Sequence, residues 1–413
     1  MPIASSSMNT PIASVVAALG FLTACGSDSP AGLQPFTGPA LSAVGHASMT
    51  ARYMAELWTK GNVAYTSTWG TRFKDRTLSP GNAIHIWRID REPIELVDSL
   101  IIDNATITGD VQVSDDGKLL VVATERENGS IVIFDLTNPF KPVRLTRYQT
   151  ANTSNGVHTA ELARVNGRLY AFLAVDAPNG RLVIVDLTEP SNPREVLVRN
   201  MTVHDTFVRD GILFTALVNN GTTIWDLGGG GKGGSPENPV QISNIRTAPF
   251  SPSVSGSGAH NLFWFHNPAG GANAKRYLFV GEEGPGAATL NSSTGDIHVV
   301  DVSDMAAPRE VAFFHLDRGG THNFSVDEQR GILYAAFYEA GVRAIDIRGD
   351  LGTCSGEVKA PDGRCDLKKT ARELAVGLQT QGGVFVWGVH FDGNFVYASD
   401  MIQGIWKLVA INR

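Results

Sequence analysis

Hydrophobic residues in this chain recur in short runs that repeat along most of its length. Each run alternates or concentrates β-branched and aliphatic residues, which is typical of strands. Six of the seven similar runs carry an aspartate at or next to their end: AIHIWRID (83–90), SIVIFDL (130–136), RLVIVDL (181–187), TTIWDL (222–227), DIHVVDV (296–302), VRAIDI (342–347), and, without the aspartate, GIWKLVA (404–410). A similar unit that returns every roughly 40–75 residues indicates a repeat architecture.

The neighbours of each run also recur, and they predict units of four strands, here called a to d. The third unit shows all four most clearly, as VHTAELARV (157–165), RLYAFLAVD (168–176), RLVIVDL (181–187) and REVLVRN (194–200). Asn-Gly and Pro-containing turns suited to hairpins separate these strands. Four-stranded antiparallel units repeated around an axis form a β-propeller. The sequence therefore predicts an all-β fold, a propeller of seven blades.

The two ends of the chain predict how the ring closes. The last unit stops after strand c, while PALSAVGHA (39–47) stands before the first unit and resembles the strand d segment RELAVGL (372–378). We therefore expect residues of about 38–47 to supply the missing strand, because closure removes an exposed sheet edge. On this prediction residues 38–413 form a single propeller domain.

The segment RLVIVDLTEPSNPREV (181–196) resembles the consensus of LVIVD-repeat β-propeller lipoproteins. The His-Asn pairs at 260–261 and 322–323 resemble those of the choice-of-anchor B group of bacterial surface proteins. The resemblance covers nearly the whole chain after the N-terminal segment and implies the propeller fold. It implies no particular activity, since one fold serves many functions.

The N-terminus has the features of an export signal. Residues 11–24 form an apolar stretch of signal-peptide length, and Leu22-Thr23-Ala24-Cys25 resembles a bacterial lipobox. We expect a signal peptide at 1–24, lipidation of Cys25 and a tether at 25–37, with Gly26 favouring the outer membrane by analogy with lipoprotein sorting. The propeller would then face the periplasm or the cell surface. Residues 1–10 lack Lys and Arg, and the alternative is an apolar strand with an incidental cysteine.

The net charge limits the classes of binding partner, and the cysteines indicate a disulfide. The formal net charge of −7 argues against nucleic-acid binding, and the membrane is expected to be contacted only through lipid on Cys25. Cys354 and Cys365 flank a polar loop within an insertion at 348–370, and in an exported protein they predict a local disulfide. Two free thiols or a metal-binding pair are the alternatives. We expect a monomer.

Histidines recur at the predicted start of strand a. Four occupy matching positions in units 3 to 6, namely His158, His204, His260 and His322. Asp110 aligns with them in unit 2, although a shift of one residue would align it with Asp205 instead, and His390 falls about four residues later in unit 7. Acidic or amide residues recur where strand b returns to the same end: Glu125, Asp176, Asn219, Glu282 with Glu283, Glu339 and Asp400. We expect both sets at the mouth of the central channel. We expect His298 to lie at the surface or to serve in packing.

These residues allow three interpretations: a structural lock between blades, a metal or anionic-ligand site, or no shared role. Imidazole and carboxylate suit a divalent transition metal, with His158, His204, His260 and His322 as ligands. The function we favour is a scaffold at the cell envelope that binds a protein or small molecule at this face. The alternative is a metal-dependent hydrolase or oxidoreductase with Asp205 or Glu282 as the base. No serine, cysteine or lysine stands out as a nucleophile, which disfavours covalent catalysis and favours binding over enzymatic activity without deciding between them.

Overall fold

Strands make up nearly all regular structure in this computed structural model, which describes residues 38–71, 78–126, 128–248, 258–283, 294–317, 319–379, 381 and 383–412. The predicted signal peptide, lipidation site and tether, with Cys25, lie outside the described residues. In the described part no helix is long and apolar enough to cross a membrane. Two short 3-10 turns occur at Gly271–Asn273 and Gly356–Val358.

The strands of the described residues follow one another along the chain. The first seventeen are β1 (Ala43–Ala47), β2 (Tyr53–Lys60), β3 (Val63–Trp69), β4 (Ala83–Arg88), β5 (Glu95–Ile101), β6 (Ile107–Val113), β7 (Leu119–Glu125), β8 (Ser130–Asp135), β9 (Val143–Tyr148), β10 (Val157–Val165), β11 (Arg168–Val175), β12 (Arg181–Asp186), β13 (Arg194–Asn200), β14 (Asp205–Arg209), β15 (Ile212–Ala216), β16 (Thr222–Asp226) and β17 (Val240–Ile245). The others are β18 (Gly258–Trp264), β19 (Tyr277–Glu283), β20 (Ile297–Asp301), β21 (Arg309–Phe314), β22 (Phe324–Asp327), β23 (Ile332–Ala336), β24 (Val342–Asp346), β25 (Cys365–Asp366), β26 (Glu373–Gly377), β27 (Val386–Phe391), β28 (Phe395–Asp400) and β29 (Gly404–Val409).

Consecutive strands pair antiparallel in sets of four, as the repeat predicts. The sets are β2 to β5, β6 to β9, β10 to β13, β14 to β17, β18 to β21, β22-β23-β24-β26, and β27-β28-β29 with β1. A bridge between Thr68 of β3 and Thr108 of β6 joins the first two sets. The fold is therefore all-β, built from four-stranded antiparallel sheets with a blade-like organisation.

The N-terminal strand β1 lies beside the last strand of the chain. Ala43 pairs with Leu408 and Ala47 with Ile405 in an antiparallel ladder. The His46 ring stacks on Trp406 with 3.8 Å between centroids. Strand β1 thus occupies the outer position that strand d takes in the other sheets.

The hydrophobic core lies in layers between neighbouring sheets. One cluster combines Val121 of β7, Ala160 of β10 and Leu173 of β11, and all three are almost fully buried. Strands β7, β8, β11 and β12 are buried along almost their whole length, which fits their continuously apolar sequence. The outermost strands are more exposed, with Ile101 and Val143 more than half exposed.

The insertion at 348–370 contains the predicted disulfide, Cys354–Cys365, which is confirmed. It also supplies β25, which pairs parallel with β21 through Ala312 and Cys365 and extends that sheet to five strands. Cys365 is 1% exposed and packs in the same apolar cluster as Leu351. The disulfide therefore holds the insertion against the outer edge of a blade.

Candidate functional site

The four recurring histidines lie at the start of successive inner strands. His158 and His260 sit where β10 and β18 depart from regular pairing, between Val157 and Thr159 and between Ala259 and Leu262. Such irregularities turn a side chain away from the ladder direction. His204 and His322 stand just before β14 and β22, and the backbone N–H of each donates to the Ala216 or Ala336 carbonyl. Local backbone structure thus directs all four imidazoles to one level of the molecule.

The imidazoles follow one another in an arc. Centroid distances are 4.3 Å from His158 to His204, 4.4 Å from His204 to His260 and 4.3 Å from His260 to His322. Two tryptophans continue the arc, because Trp387 lies 4.5 Å from His322 and Trp69 lies 5.1 Å from Trp387. We call His158, His204, His260 and His322 the histidine layer.

Each end of the histidine layer contacts a carboxylate. His158 Nδ1 lies 3.1 Å from Glu125 Oε1, and His322 Nδ1 lies 3.3 Å from Glu56 Oε1. Between these ends, His158 Nε2 is 3.1 Å from His204 Nε2, and His260 Nε2 is 3.5 Å from Glu283 Oε2. The imidazoles therefore combine contacts with one another and sideways contacts to carboxylates.

Two groups among the described residues could hold a metal ion, and each mixes histidine with carboxylate. They are His204 with His260 and Glu283, and His158 with Glu125 and Asp176. Within each group the candidate ligand atoms lie within 4.8 Å of one another. The structure thus divides the histidines predicted as one ligand set and adds carboxylates to both parts.

The protonation of the histidine layer differs along its length. Burial lowers the pKa of His158, but the charges of Glu125 and Asp176 outweigh it and raise that pKa to about 10. Burial, followed by the neighbouring imidazoles, holds the pKa of His204 and of His260 well below the usual range. The carboxylates thus favour the charged form of His158, whereas burial favours the neutral forms of His204 and His260.

Glu282, which the sequence places with Glu283 at the mouth of the central channel, contacts a different histidine. Its carboxylate contacts His298 Nε2 at 3.2 Å, and His298 Nδ1 lies 2.7 Å from Glu310 Oε1. His298 is fully buried in β20, so a packing role fits and a surface position does not. Adjacent strand residues face opposite sides, so Glu283 rather than Glu282 reaches the histidine layer.

Asp110 and His390 also lie outside the histidine layer. Asp110 Oδ2 accepts the Ala160 N–H at 2.8 Å, in the inner strand of the next blade. Asp110 and Asp205 each accept the N–H of the following residue at Oδ1 and each pair with an alanine of strand b, so Asp110 corresponds to Asp205, the shifted alignment. His390 Nδ1 is 2.7 Å from Thr59 Oγ1, further along the inner strands.

A cavity of about 330 Å³ follows the histidine layer along the inner strands. Every inner strand contributes to it, including Asp110, Asp205 and His390. Half-buried aromatic rings form much of its wall: Trp58, Phe207, Phe263, Phe324 and Phe391. Among its described lining residues none is Lys or Arg. We call this space the axial cavity.

Three half-buried carboxylates from neighbouring blades face the axial cavity. Burial, with mutual repulsion, raises the pKa of Asp110 to about 6, that of Asp205 to about 7 and that of Glu161 to about 8. Gln112 Nε2 donates to Glu161 Oε2 at 3.0 Å. The cavity therefore holds several groups that share protons near neutral pH and would gain from a positive charge.

Sequence reasoning missed Glu56, Glu161 and Tyr338. Glu56 and Glu161 each lie within an Ala-Glu-Leu triplet inside a strand a segment, where a charged residue is unusual, so this repeat was a usable signal. Tyr338, which donates a hydrogen bond to Glu283 Oε1, follows β23 in an apolar run, and no sequence signal marks it.

Comparisons with known proteins agree with this architecture. The family model of the LVIVD repeat matches residues 166–200, which include β11, β12 and β13. Among the solved structures that match, the β-propeller protein Sqt1 of Saccharomyces cerevisiae has a TM-score of 0.52 and 10% sequence identity, covering 87% of this chain and 83% of that chain. At this identity the likeness shows the fold alone. A search of curated proteins gave no match.

Proposed function

Because the chain carries an LVIVD repeat within a β-propeller fold, we propose that it is a binding scaffold displayed at the cell envelope. We propose further that it is a monomeric propeller of seven blades and that its ligand occupies the axial cavity. The seven sets of four paired strands, and the pairing of β1 with β29, support a ring closed by the N-terminal strand. The family match and the propeller neighbour favour a scaffold over the metal-dependent enzyme.

The axial cavity carries this proposal and indicates the ligand class. A volume of about 330 Å³ is within the range of small-molecule pockets. A bound cation would favour the charged forms of Asp110, Glu161 and Asp205 on one side, and the aromatic rings can contact a cation through their faces. The ligand is therefore a small organic cation with an apolar part rather than a protein surface.

Calorimetry with spermidine and choline tests this function. We expect at least one of the two to bind, and its uncharged counterpart, such as 3,3-dimethylbutanol for choline, to bind at least about 10-fold more weakly, because only the cation relieves the repulsion among the carboxylates. Asp205→Asn and Glu161→Gln should each weaken cation binding by about 10-fold.

The matched control is Asp98→Asn, which changes an exposed carboxylate on the outer strand β5. This variant should bind the cation like the unmodified protein. Absence of binding by both cations, equal binding of the neutral counterpart, or an equal loss in Asp98→Asn would overturn the proposed ligand class.

Location at the envelope rests on the sequence around Cys25 and has its own test. A structural disulfide is typical of proteins exported to an oxidising compartment, so Cys354–Cys365 supports export. Metabolic labelling with palmitate should label the unmodified chain, and Cys25→Ser should lose both the label and the membrane fraction. A Cys25→Ser chain that still sediments with the outer membrane would contradict the lipid anchor.

A further inference from the structure

We propose that the histidine layer binds one divalent transition metal ion, with His204, His260 and Glu283 as its core ligands and His158 as the fourth. This site differs from the four-histidine set expected from the sequence, because Glu283 takes the place of His322. It lies beside the axial cavity, and its occupation is independent of the organic cation proposed above.

The core ligands are already gathered. The candidate ligand atoms of His204, His260 and Glu283 lie within 4.8 Å of one another, although three different strand ends supply them. Imidazole with carboxylate is a donor set that suits first-row divalent metals. Two imidazoles and one carboxylate also leave coordination positions for a further ligand.

His260 gives the strongest sign of a missing partner. It is only 5% exposed, and its Nδ1 has no hydrogen-bond partner. Its Nε2 lies 3.5 Å from Glu283 Oε2, longer than a good hydrogen bond. A buried imidazole with neither nitrogen properly bonded is costly, and an ion is one of the partners that can satisfy it.

The spacing of His158 and His204 fits two ligands of one ion. Their Nε2 atoms are 3.1 Å apart. An ion about 2.1 Å from each nitrogen, the usual metal–imidazole distance, would subtend an angle of about 95° there. That angle is ordinary for neighbouring ligands, so both nitrogens can bind the same ion.

A second-sphere contact and a small cavity complete the site. Tyr338, fully buried, donates its hydroxyl to Glu283 Oε1 and so fixes the orientation of that carboxylate. A cavity of about 20 Å³, lined by His158, His260 and His322 among others but not by His204 or Glu283, adjoins the histidine layer. This space is enough for one water-sized ligand.

His322 is directed differently. Its Nδ1 faces Glu56 Oε1 at 3.3 Å, and its ring packs on Trp387. We infer that His322 packs against Trp387 and contacts Glu56, and that it does not bind the metal. This assignment separates the proposed site from a four-histidine site.

Titration of the tag-free, EDTA-treated full chain with Zn²⁺ and Co²⁺ tests the site. We expect one equivalent of Zn²⁺ to bind and raise the melting temperature, and Co²⁺ to give visible absorption bands of a nitrogen-ligated ion. Glu283→Gln and His204→Gln should each weaken Zn²⁺ binding by about 100-fold or more, and Tyr338→Phe by about 10–100-fold.

Two variants serve as controls. Glu282→Gln changes the adjacent carboxylate that faces His298, and His322→Gln changes the remaining imidazole; both should keep the Zn²⁺ affinity within about 3-fold. If His204→Gln does not fold, the Zn²⁺ affinities of Tyr338→Phe and Glu283→Gln provide the test. Binding of clearly less than one equivalent of Zn²⁺, or a loss of Zn²⁺ affinity in His322→Gln as large as in Glu283→Gln, would overturn the site. The axial-cavity variant Asp205→Asn should still bind Zn²⁺, which separates this test from that of the organic cation.

Discussion

At the scale of single residues, Asp226 shows how one carboxylate can organise a long turn. Its oxygens accept the backbone N–H groups of Gly228 and Gly230, each at 2.7 Å, of Lys232 at 2.6 Å and of Gly234 at 3.2 Å. The run GGGGKGG therefore wraps around an aspartate between β16 and β17. Its glycines allow this close approach, since a Cβ at Gly234 would lie 2.0 Å from the Asp226 carbonyl oxygen.

Replacing Asp226 by alanine should lower the free energy of unfolding by about 3 kcal/mol, because four N–H groups lose a charged acceptor. Urea denaturation measures the loss. The control is Asp304→Ala, which removes the bond to the Ala306 N–H in an exposed turn and should cost less than about 1 kcal/mol. Equal losses in the two variants would contradict the organising role of Asp226.

The raised pKa values of the carboxylates that line the axial cavity predict that the stability of the protein depends on pH. In the folded chain the pKa of Asp205 is raised to about 7 and that of Glu161 to about 8, mainly by burial. The folded state then binds more protons than the unfolded state between about pH 4 and pH 8. Stability should therefore fall as pH rises through this window.

Glu161→Gln tests this pH dependence, because glutamine is neutral at every pH. The variant should gain stability over the unmodified protein as pH increases from 5 to 8 and show a shallower decline. Thermal denaturation across this range gives the measurement, with Asp98→Asn as the exposed control. A variant whose stability runs parallel to that of the unmodified chain would contradict the raised pKa of Glu161.

At the scale of strands, a buried ion pair joins β24 to β26. Arg343 Nη1 lies 2.8 Å from Glu373 Oε1, the two side chains are 3% and 6% exposed, and Arg343 Nη2 also donates to the Ala340 carbonyl. The pair spans the two strands on either side of the insertion 348–370. It therefore fixes the register with which β26 returns to its sheet.

Glu373→Ala should lower the free energy of unfolding by about 3–5 kcal/mol, because it leaves the Arg343 guanidinium buried without its partner. The double variant Arg343→Met with Glu373→Leu should regain most of this loss, since both charges are then absent. Denaturation of the unmodified protein, of Glu373→Ala and of the double variant gives their free energies of unfolding for comparison. Removing the exposed pair Arg164 and Asp115 should cost at most about 1 kcal/mol. A double variant no more stable than Glu373→Ala would contradict this account.

The strands were far more predictable than the side-chain contacts between them. The repeated runs become β4, β8, β12, β16, β20, β24 and β29, because inter-sheet burial on both faces requires continuous apolar sequence. The sequence placed Glu282 and Glu283 together at the channel mouth, and only Glu283 contacts the histidine layer. Adjacent strand residues face opposite sides, and the repeat does not show which of two adjacent acids faces inward. The contact of Glu56 with His322 joins residues 266 positions apart, which no local pattern encodes.

At the scale of the whole molecule, the proposed ring depends on the contact between β1 and β29. An open ring would leave the edge of β29 unpaired, so the first and last parts of the chain would separate early on unfolding. Gly404 provides a way to test this contact with one substitution. A Cβ at Gly404 would lie 2.1 Å from the Ala47 carbonyl oxygen, at the end of β1.

Gly404→Ala should therefore weaken closure, and Gly393→Ala is its matched control. The two glycines have φ of +109° and +110°, so alanine pays a similar backbone cost, about 1–3 kcal/mol, at both positions. Only Gly404 adds a clash with β1, since nothing lies within 4 Å of a Cβ at Gly393. Gly404→Ala should thus be the less stable variant in urea, and hydrogen exchange at the Val409 amide, whose N–H donates to the Ser42 carbonyl, should accelerate in it alone. Equal stability and unchanged exchange at this amide would mean that the N-terminal strand does not close the ring.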